Sequence, residues 1–263
     1  MGKSGSQIAN RLIHQQEIAK GFSAAAKTYR QHNQLQQLSA AELLKPMKAS
    51  ELTLDIGAGP GTHFDKSNKV IALDLAMGML KELKANYSDY QAICADASHL
   101  PFHENSFDTI YSNLAMQWCP DLQIAVKESH RVLKPQGYCH ISLVVNGSLN
   151  ELTQLGLQKN QFLTQIEITS AFNSCDWQSL SIQLIPITVY FDDLKALLYS
   201  LKGIGASTKL ANSNTDNIAN KDAVPSGLKG RNYWLQMCKL AETLATSKGI
   251  PLSYQIAVIQ GQK

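Results

Sequence analysis

Apolar residues recur at helical spacing through the first fifty positions: Phe22, Ala25, Ala26 and Tyr29, then Leu35, Leu38, Leu43 and Leu44 before Pro46. A period near 3.6 predicts helices there. Then the period changes. Leu52-Thr53-Leu54-Asp55-Ile56 is a short apolar run closed by glycines, as expected of a strand buried within a parallel sheet. Similar runs predict strands over Val70–Asp74, Gln91–Asp96, Phe107–Asn113 and Tyr138–Val145. Helices are predicted between them over Met77–Ala85 and from about Asp121 to Leu133, with Lys134-Pro135-Gln136-Gly137 ending the second.

Later positions depart from this alternation. Leu180–Phe191 reads as a strand interrupted at Pro186, which points to a sheet edge or a bulge. Leu194, Leu197, Leu198 and Leu201 mark a helix, and residues 207–227, rich in Asn, Ser, Asp and Lys, read as a mobile loop. A helix from Tyr233 to about Ser247 and a strand from Leu252 to Gln260 close the chain.

Alternating β and α units predict an α/β fold, a parallel sheet with helices on both faces. Ligands of such sheets bind beyond the carboxyl ends of the strands. The first four predicted strands end in polar residues, Asp55, Asp74, Asp96 and Asn113, so these read as one site.

Composition narrows the partners. The 263 residues are 44% apolar and 17% charged, as in ordinary globular proteins, and a net charge of +3 is too small to argue for nucleic acid. Cys94, Cys119, Cys139, Cys175 and Cys238 are widely spaced and odd in number. That suits a reducing cytoplasm better than a disulfide framework, and the spacing fits no metal site. No apolar run approaches the about 18–20 residues of a membrane span, and the polar start lacks a signal-peptide core. Met1-Gly2-Lys3-Ser4-Gly5-Ser6 fits the permissive myristoylation pattern without a second membrane signal, and Gly2-Lys3-Ser4 lacks the upstream strand and glycine of a P-loop.

Candidate chemistry centres on Asp55-Ile56-Gly57-Ala58-Gly59-Pro60-Gly61. Gly57 and Gly59 permit positive φ and close backbone approach to a ligand. Position 62 is Thr, so the G-x-G-x-x-G of nicotinamide and flavin proteins fails at its third glycine. An acid just before the first glycine suits a cationic ligand better than a pyrophosphate. S-adenosylmethionine carries an α-ammonium and a sulfonium. Asp74, ending the second strand, is placed to accept hydrogen bonds from ribose hydroxyls. Either aspartate alone has a plain alternative as a turn or cap residue. Together, at this spacing, they favour a ligand.

The stretches Leu54-Asp55-Ile56-Gly57-Ala58-Gly59-Pro60-Gly61, Ala72-Leu73-Asp74-Leu75, Ala95-Asp96-Ala97, Leu100-Pro101-Phe102, Phe107-Asp108 and Arg131-Val132-Leu133-Lys134-Pro135-x-Gly137 resemble those of class I S-adenosylmethionine-dependent methyltransferases. The resemblance implies a Rossmann-like, mostly parallel seven-stranded sheet with N-terminal helices and a C-terminal helical cap insertion. It also implies that Asp96 meets the adenine amino group and Ala97 lends the ring a backbone amide. Leu75 and Met79 would pack on adenosine, with Asn113 and Leu114 beside the methionine moiety.

Further stretches are more specific. They are Phe22-Ser23-x-Ala25-Ala26-x-x-Tyr29, Ser112 to Cys119, Phe191-Asp192-x-Leu194, Leu201 to Ala206, Gly227-Leu228-x-Gly230-Arg231 and Pro251-Leu252-x-Tyr254. Together they resemble the malonyl-[acyl-carrier protein] O-methyltransferase family of biotin synthesis. That resemblance implies one methyltransferase domain: a helical cap over 1–48, a cofactor-binding core over 49–147, and the remaining strands with a substrate-side insertion over 148–263. Ala58 and Ala76 depart mildly from the family pattern. Residues 61–69 leave room for only a truncated helix or a loop.

The implied reaction methylates the free carboxylate of malonyl-acyl-carrier protein, with no membrane or nucleic-acid partner. Such a carboxylate is ionised near neutral pH, so no general base and no catalytic residue is required. Arg231 is the leading candidate to grip it and Lys202 a weaker one, while Tyr29, on the cofactor side, and Trp118, on the substrate side, are expected to wall the transfer chamber. Lys195, Lys202, Lys209, Lys229, Arg231 and Lys239 are candidates for a face that receives the acidic carrier, with an ordinary solvated surface as the alternative. A methyltransferase of the same fold acting on another carboxylate, phenol or amine, a non-catalytic cofactor-binding protein, and a nicotinamide oxidoreductase are the rival readings.

Overall fold

A computed structural model describes residues 3–203 and 231–263. Two helices, α1 (Lys3–His32) and α2 (Gln34–Leu44), precede the sheet. The core then alternates β1 (Leu52–Ile56), β2 (Lys69–Asp74), α3 (Met77–Asn86), β3 (Gln91–Cys94), β4 (Phe107–Asn113), α4 (Leu122–Val132) and β5 (Leu133–Val144). After it come α5 (Asn150–Gln154), α6 (Gln165–Phe172), β6 (Ser179–Phe191), α7 (Leu194–Gly203), α8 (Arg231–Leu244) and β7 (Ile250–Gln262).

The seven strands form one sheet in the order β3-β2-β1-β4-β5-β7-β6, in which β7 pairs antiparallel with both neighbours. The strand order reverses between β1 and β4, and that switch opens a crevice at their carboxyl ends. Two apolar layers sandwich the sheet. Leu54, Ile56 and Ile110 pack on α4 and α6 through Val126 and Phe172. On the other face Val70, Ala72 and Tyr111 lie in the cluster that includes Leu43, Leu197 and Met237. Among the described residues, no helix is long and apolar enough to cross a membrane.

Most predicted elements form, with displaced ends. β3 stops at Cys94 rather than Asp96, because the Asp96 carboxylate accepts the Ser98 amide at 2.9 Å and turns the chain. α4 starts after Asp121, whose side chain caps it, and runs directly into β5. Leu133 already pairs with Phe107, so β5 begins five residues before the predicted Tyr138; Lys134-Pro135-Gln136-Gly137 forms an excursion within it. Lys134 closes that excursion through a 2.7 Å ion pair with Asp108.

No helix forms between β1 and β2. Pro186 lies on β6, the edge strand, where its missing N–H leaves no ladder bond unmade. α8 ends at Leu244, ahead of the predicted Ser247, since Thr246 and Gly249 pair to start the reversal into β7. The predicted loop over 207–227 lies outside the described residues.

Candidate functional site

The turn after β1 is shaped by glycine. Gly57, Gly59 and Gly61 have φ of 71°, 55° and 99°. A Cβ on Gly57 would overlap the side chain of Ala115, so this position needs both the conformation and the space. The Gly57 and Ala58 amides bond to the Leu73 carbonyl at 2.7 and 3.0 Å, which fastens the turn to the end of β2. Asp74 completes the fastening. One of its carboxylate oxygens accepts the Gly59 amide at 2.8 Å, and the other accepts the Ala76 amide at 2.7 Å.

Asp55 sits under this turn, only 1% exposed, and its Oδ2 has no hydrogen-bond partner among the described residues. Burial, and then the neighbouring Asp74 charge, push its pKa well up. Burial likewise raises Asp74, partly offset by the amides it accepts. A buried carboxylate oxygen without a partner is costly by itself, and a cationic ligand is its natural complement.

α1 roofs the crevice. Ser23 accepts the Gly78 amide at 3.1 Å, and a Cβ on Gly78 would lie 2.6 Å from the Ser23 carbonyl, so α1 and α3 touch at backbone distance. Beneath α1 lies a cavity of about 770 Å³, its open mouth included. Gln15, Ile18 and Phe22 of α1 face Leu75, Met79 and Ala97 across it. Gln15 donates to the Asp96 carboxylate at 2.9 Å. Asn113 donates to the Gln36 carbonyl at 2.9 Å and accepts from Ser142 at 2.8 Å.

The predicted cofactor residues converge. Tyr29, Gly57, Gly59, Asp74, Leu75, Met79, Asp96, Ala97, Asn113 and Leu114 line the cavity under α1. Asp55 and Gly61 line an adjoining space that shares Tyr29, Gly57, Gly59 and Asn113 with it. Tyr29 is half-buried, its pKa is raised by desolvation and then by Asp74, and the phenol stays protonated. Cys119 also lines the cavity, and burial pushes its thiol to about 12. Neither is a ready base or nucleophile at neutral pH.

A second chamber, of about 640 Å³ with its open mouth included, lies behind a shared wall of Phe22, Tyr29, Leu114 and Trp118. Phe22 and Trp118 meet edge to face with ring centres 5.6 Å apart. Tyr29 and Trp118, predicted to wall a transfer chamber, thus stand between the two spaces. Arg231 and Lys202 do not join them: both are exposed, on α8 and α7, and neither lines a described cavity. Of the proposed basic face, Lys195, Lys202, Arg231 and Lys239 lie in α7 and α8, whereas Lys209 and Lys229 fall outside the described residues.

Sequence reasoning assigned no role to Gln15, Gln36, Gln117, Lys159 or Tyr254. Gln117 and Tyr254 sit in stretches quoted for the resemblance, whereas Gln15, Gln36 and Lys159 stand outside any motif and reach a cavity only through packing of distant segments.

The chain matches a family model described as a methyltransferase domain over residues 54–141. It is 36% identical over 208 residues to the malonyl-[acyl-carrier protein] O-methyltransferase of Pseudescherichia vulneris, covering 74% of this chain and 82% of that protein. The enzyme of the same description from Marinomonas sp. (strain MWYL1) is 31% identical over 271 residues, covering 96% of this chain and 95% of that protein. Among solved structures, the YcgJ protein of Bacillus subtilis superposes with a TM-score of 0.57 at 19% identity, covering 86% of this chain and 98% of that one.

Proposed function

This chain belongs to the malonyl-[acyl-carrier protein] O-methyltransferase family, and on that premise we propose that it methylates the free carboxylate of malonyl-acyl-carrier protein. S-adenosylmethionine is the methyl donor. The product is the malonyl methyl ester from which the pimeloyl precursor of biotin is built. The observation that carries the reading to the site is the buried Asp55 carboxylate, with one oxygen unpartnered below a glycine turn.

That donor set fits S-adenosylmethionine. Asp55 would hold the α-ammonium, Asp74 the ribose hydroxyls, and Asp96, with the Ala97 amide, the adenine. Leu75 and Met79 would cover the adenosine, and Asn113 and Leu114 would lie along the methionine chain. Bound there, the cofactor supplies an electrophilic methyl group on a sulfonium. Residues 1–48 serve as the cap, 49–147 as the cofactor core and 148–263 as the substrate side.

The residues around this site position groups; none needs to move a proton. A malonyl carboxylate is ionised at neutral pH and needs no base. Tyr29 and Trp118 exclude water from the line of transfer, and water exclusion favours meeting of an anion and a sulfonium. Alignment of this kind supplies about 7–11 kcal/mol in well-oriented systems. Lys195, Lys202, Arg231 and Lys239 offer cations to an acidic carrier. All five cysteines are free, which suits a reducing cytoplasm.

Mass spectrometry of malonyl-acyl-carrier protein incubated with enzyme and S-adenosylmethionine tests the proposal. One added methyl group, removed by esterase treatment, is expected. Methylation of a different carboxylate, phenol or amine, or cofactor binding with no transfer, would overturn the substrate assignment.

A further inference from the structure

Among the described residues that line it, the second chamber contains one cation and no carboxylate. Lys159 is that cation, in the segment between α5 and α6. Its ammonium donates to the Ser148 carbonyl at 2.8 Å and to the Asn150 side chain at 3.0 Å. Those bonds fix the head group while using two of its three donors. Ser148 is itself anchored, since its hydroxyl accepts the Gln255 amide of β7 at 2.8 Å. The ammonium is therefore held by the sheet rather than swinging on a free stem.

Two more features of the lining call for a ligand. Gln36 and Gln117 both line the chamber, and the Oε1 atom of each is buried without a hydrogen-bond partner among the described residues. An unsatisfied buried amide costs about 1–3 kcal/mol unless a partner arrives. Turned over about its terminal bond, each amide presents N–H donors instead, so the pair adapts to an acceptor-rich guest. Much of the rest of the wall is apolar: Leu35, Val144, Leu149, Leu152, Phe162 and Leu201. A chamber with a largely apolar wall, one fixed cation flanked by Gln158 and Asn160, and two adaptable amides suits a short acid on an uncharged stem.

We infer that this chamber is the acceptor subsite and that Lys159 grips one oxygen of the carboxylate to be methylated, with Gln36 and Gln117 donating to two of its remaining acceptor sites. Those three donors leave one of the carboxylate's roughly four lone-pair sites open toward the shared Tyr29–Trp118 wall and the cofactor cavity behind it. The assignment rests on the methyl-transfer reading and names its anion anchor. It replaces Arg231 in that role and leaves Arg231 to the carrier.

Malonyl-coenzyme A and its methyl ester serve as probes, titrated calorimetrically into the full chain saturated with S-adenosylhomocysteine. Wild type is expected to prefer the free acid at least tenfold. Lys159→Met should lose that preference, binding acid and ester alike, while affinity for S-adenosylhomocysteine stays within twofold. Lys159→Arg should restore part of the preference, which a purely structural role for the ammonium would not require. In turnover, Lys159→Met should raise KM for malonyl-coenzyme A about tenfold, equivalent to ~1.4 kcal/mol, with kcat changed far less.

Full retention of the acid preference in Lys159→Met would overturn the assignment. So would a parallel loss of S-adenosylhomocysteine binding, which would mark a general collapse of the site. A wild-type protein that binds the acid but never methylates it would sink the functional reading instead, so the two failures are distinguishable.

Discussion

The cavity beneath α1 and the space adjoining it draw Asp55, Asp74, Asp96 and Asn113 from the ends of successive strands, whereas the chamber behind Trp118 gathers Gln36, Gln117, Lys159 and Tyr254 from distant parts of the chain. In the first, turn chemistry near the strand ends orients two of the four groups: Gly59 and Ala76 amides hold Asp74, and the Ser98 amide holds Asp96. In the second, tertiary packing does so. Lys159 is positioned by Ser148, and Ser148 by Gln255 of the last strand. A site made of strand ends therefore reads out in short motifs, while a site made of packing does not.

The strongest way to break the contrast is at the turn itself. Gly57→Ala adds a Cβ against Ala115 at a φ of 71°. Strain of this kind costs about 1–3 kcal/mol in the fold. Displacing the turn is expected to abolish measurable S-adenosylmethionine binding. Urea melts and calorimetry check both effects; binding within threefold of wild type would show that the turn is not the cofactor cradle.

Asp55→Asn comes next. Loss of a charge-assisted contact worth about 1.5–3 kcal/mol should weaken S-adenosylmethionine by roughly tenfold to a hundredfold. The stability effect has the opposite sign. Burial raises the Asp55 pKa above its unfolded value, so its contribution is fully present at acid pH and is lost as pH rises through the raised pKa. At neutral pH this buried carboxyl therefore opposes folding of the free protein, and the Asn variant should melt at a higher temperature. Wild-type cofactor affinity should also fall as pH drops and Asp55 protonates, with a flatter profile in the variant. Weaker binding together with a lower Tm would point to a structural role instead.

Arg231→Ala should have the smallest effect and separates carrier docking from acid recognition. KM for malonyl-acyl-carrier protein is expected to rise several-fold at low salt and converge with wild type at high salt, while malonyl-coenzyme A kinetics stay unchanged. An equal rise for both substrates would return Arg231 to the acceptor site and remove the division of labour between it and Lys159.

Much of the sheet was legible because strands buried on both faces are apolar runs with sharp ends. β1 and β4 form over the predicted residues, and the predicted cofactor residues line two adjoining spaces. Boundaries failed where one side chain redirects the backbone, as Asp96 does after β3, or where pairing resumes around an excursion, as in β5. The reach of α1 was hidden for a different reason. Gln15 carries no motif, and its bond to Asp96 spans 81 positions of sequence.

The sequence alone determined the α/β alternation, the strand order's polar ends and the glycine turn, because each depends on residues within a few positions of one another. Tertiary structure alone decided that α1 roofs the crevice, that Tyr29 and Trp118 stand between two spaces, and that Lys159 faces the second. Those facts depend on which surfaces meet when the helices close on the sheet. Burial and cross-chain hydrogen bonding set that outcome, and no local period records it.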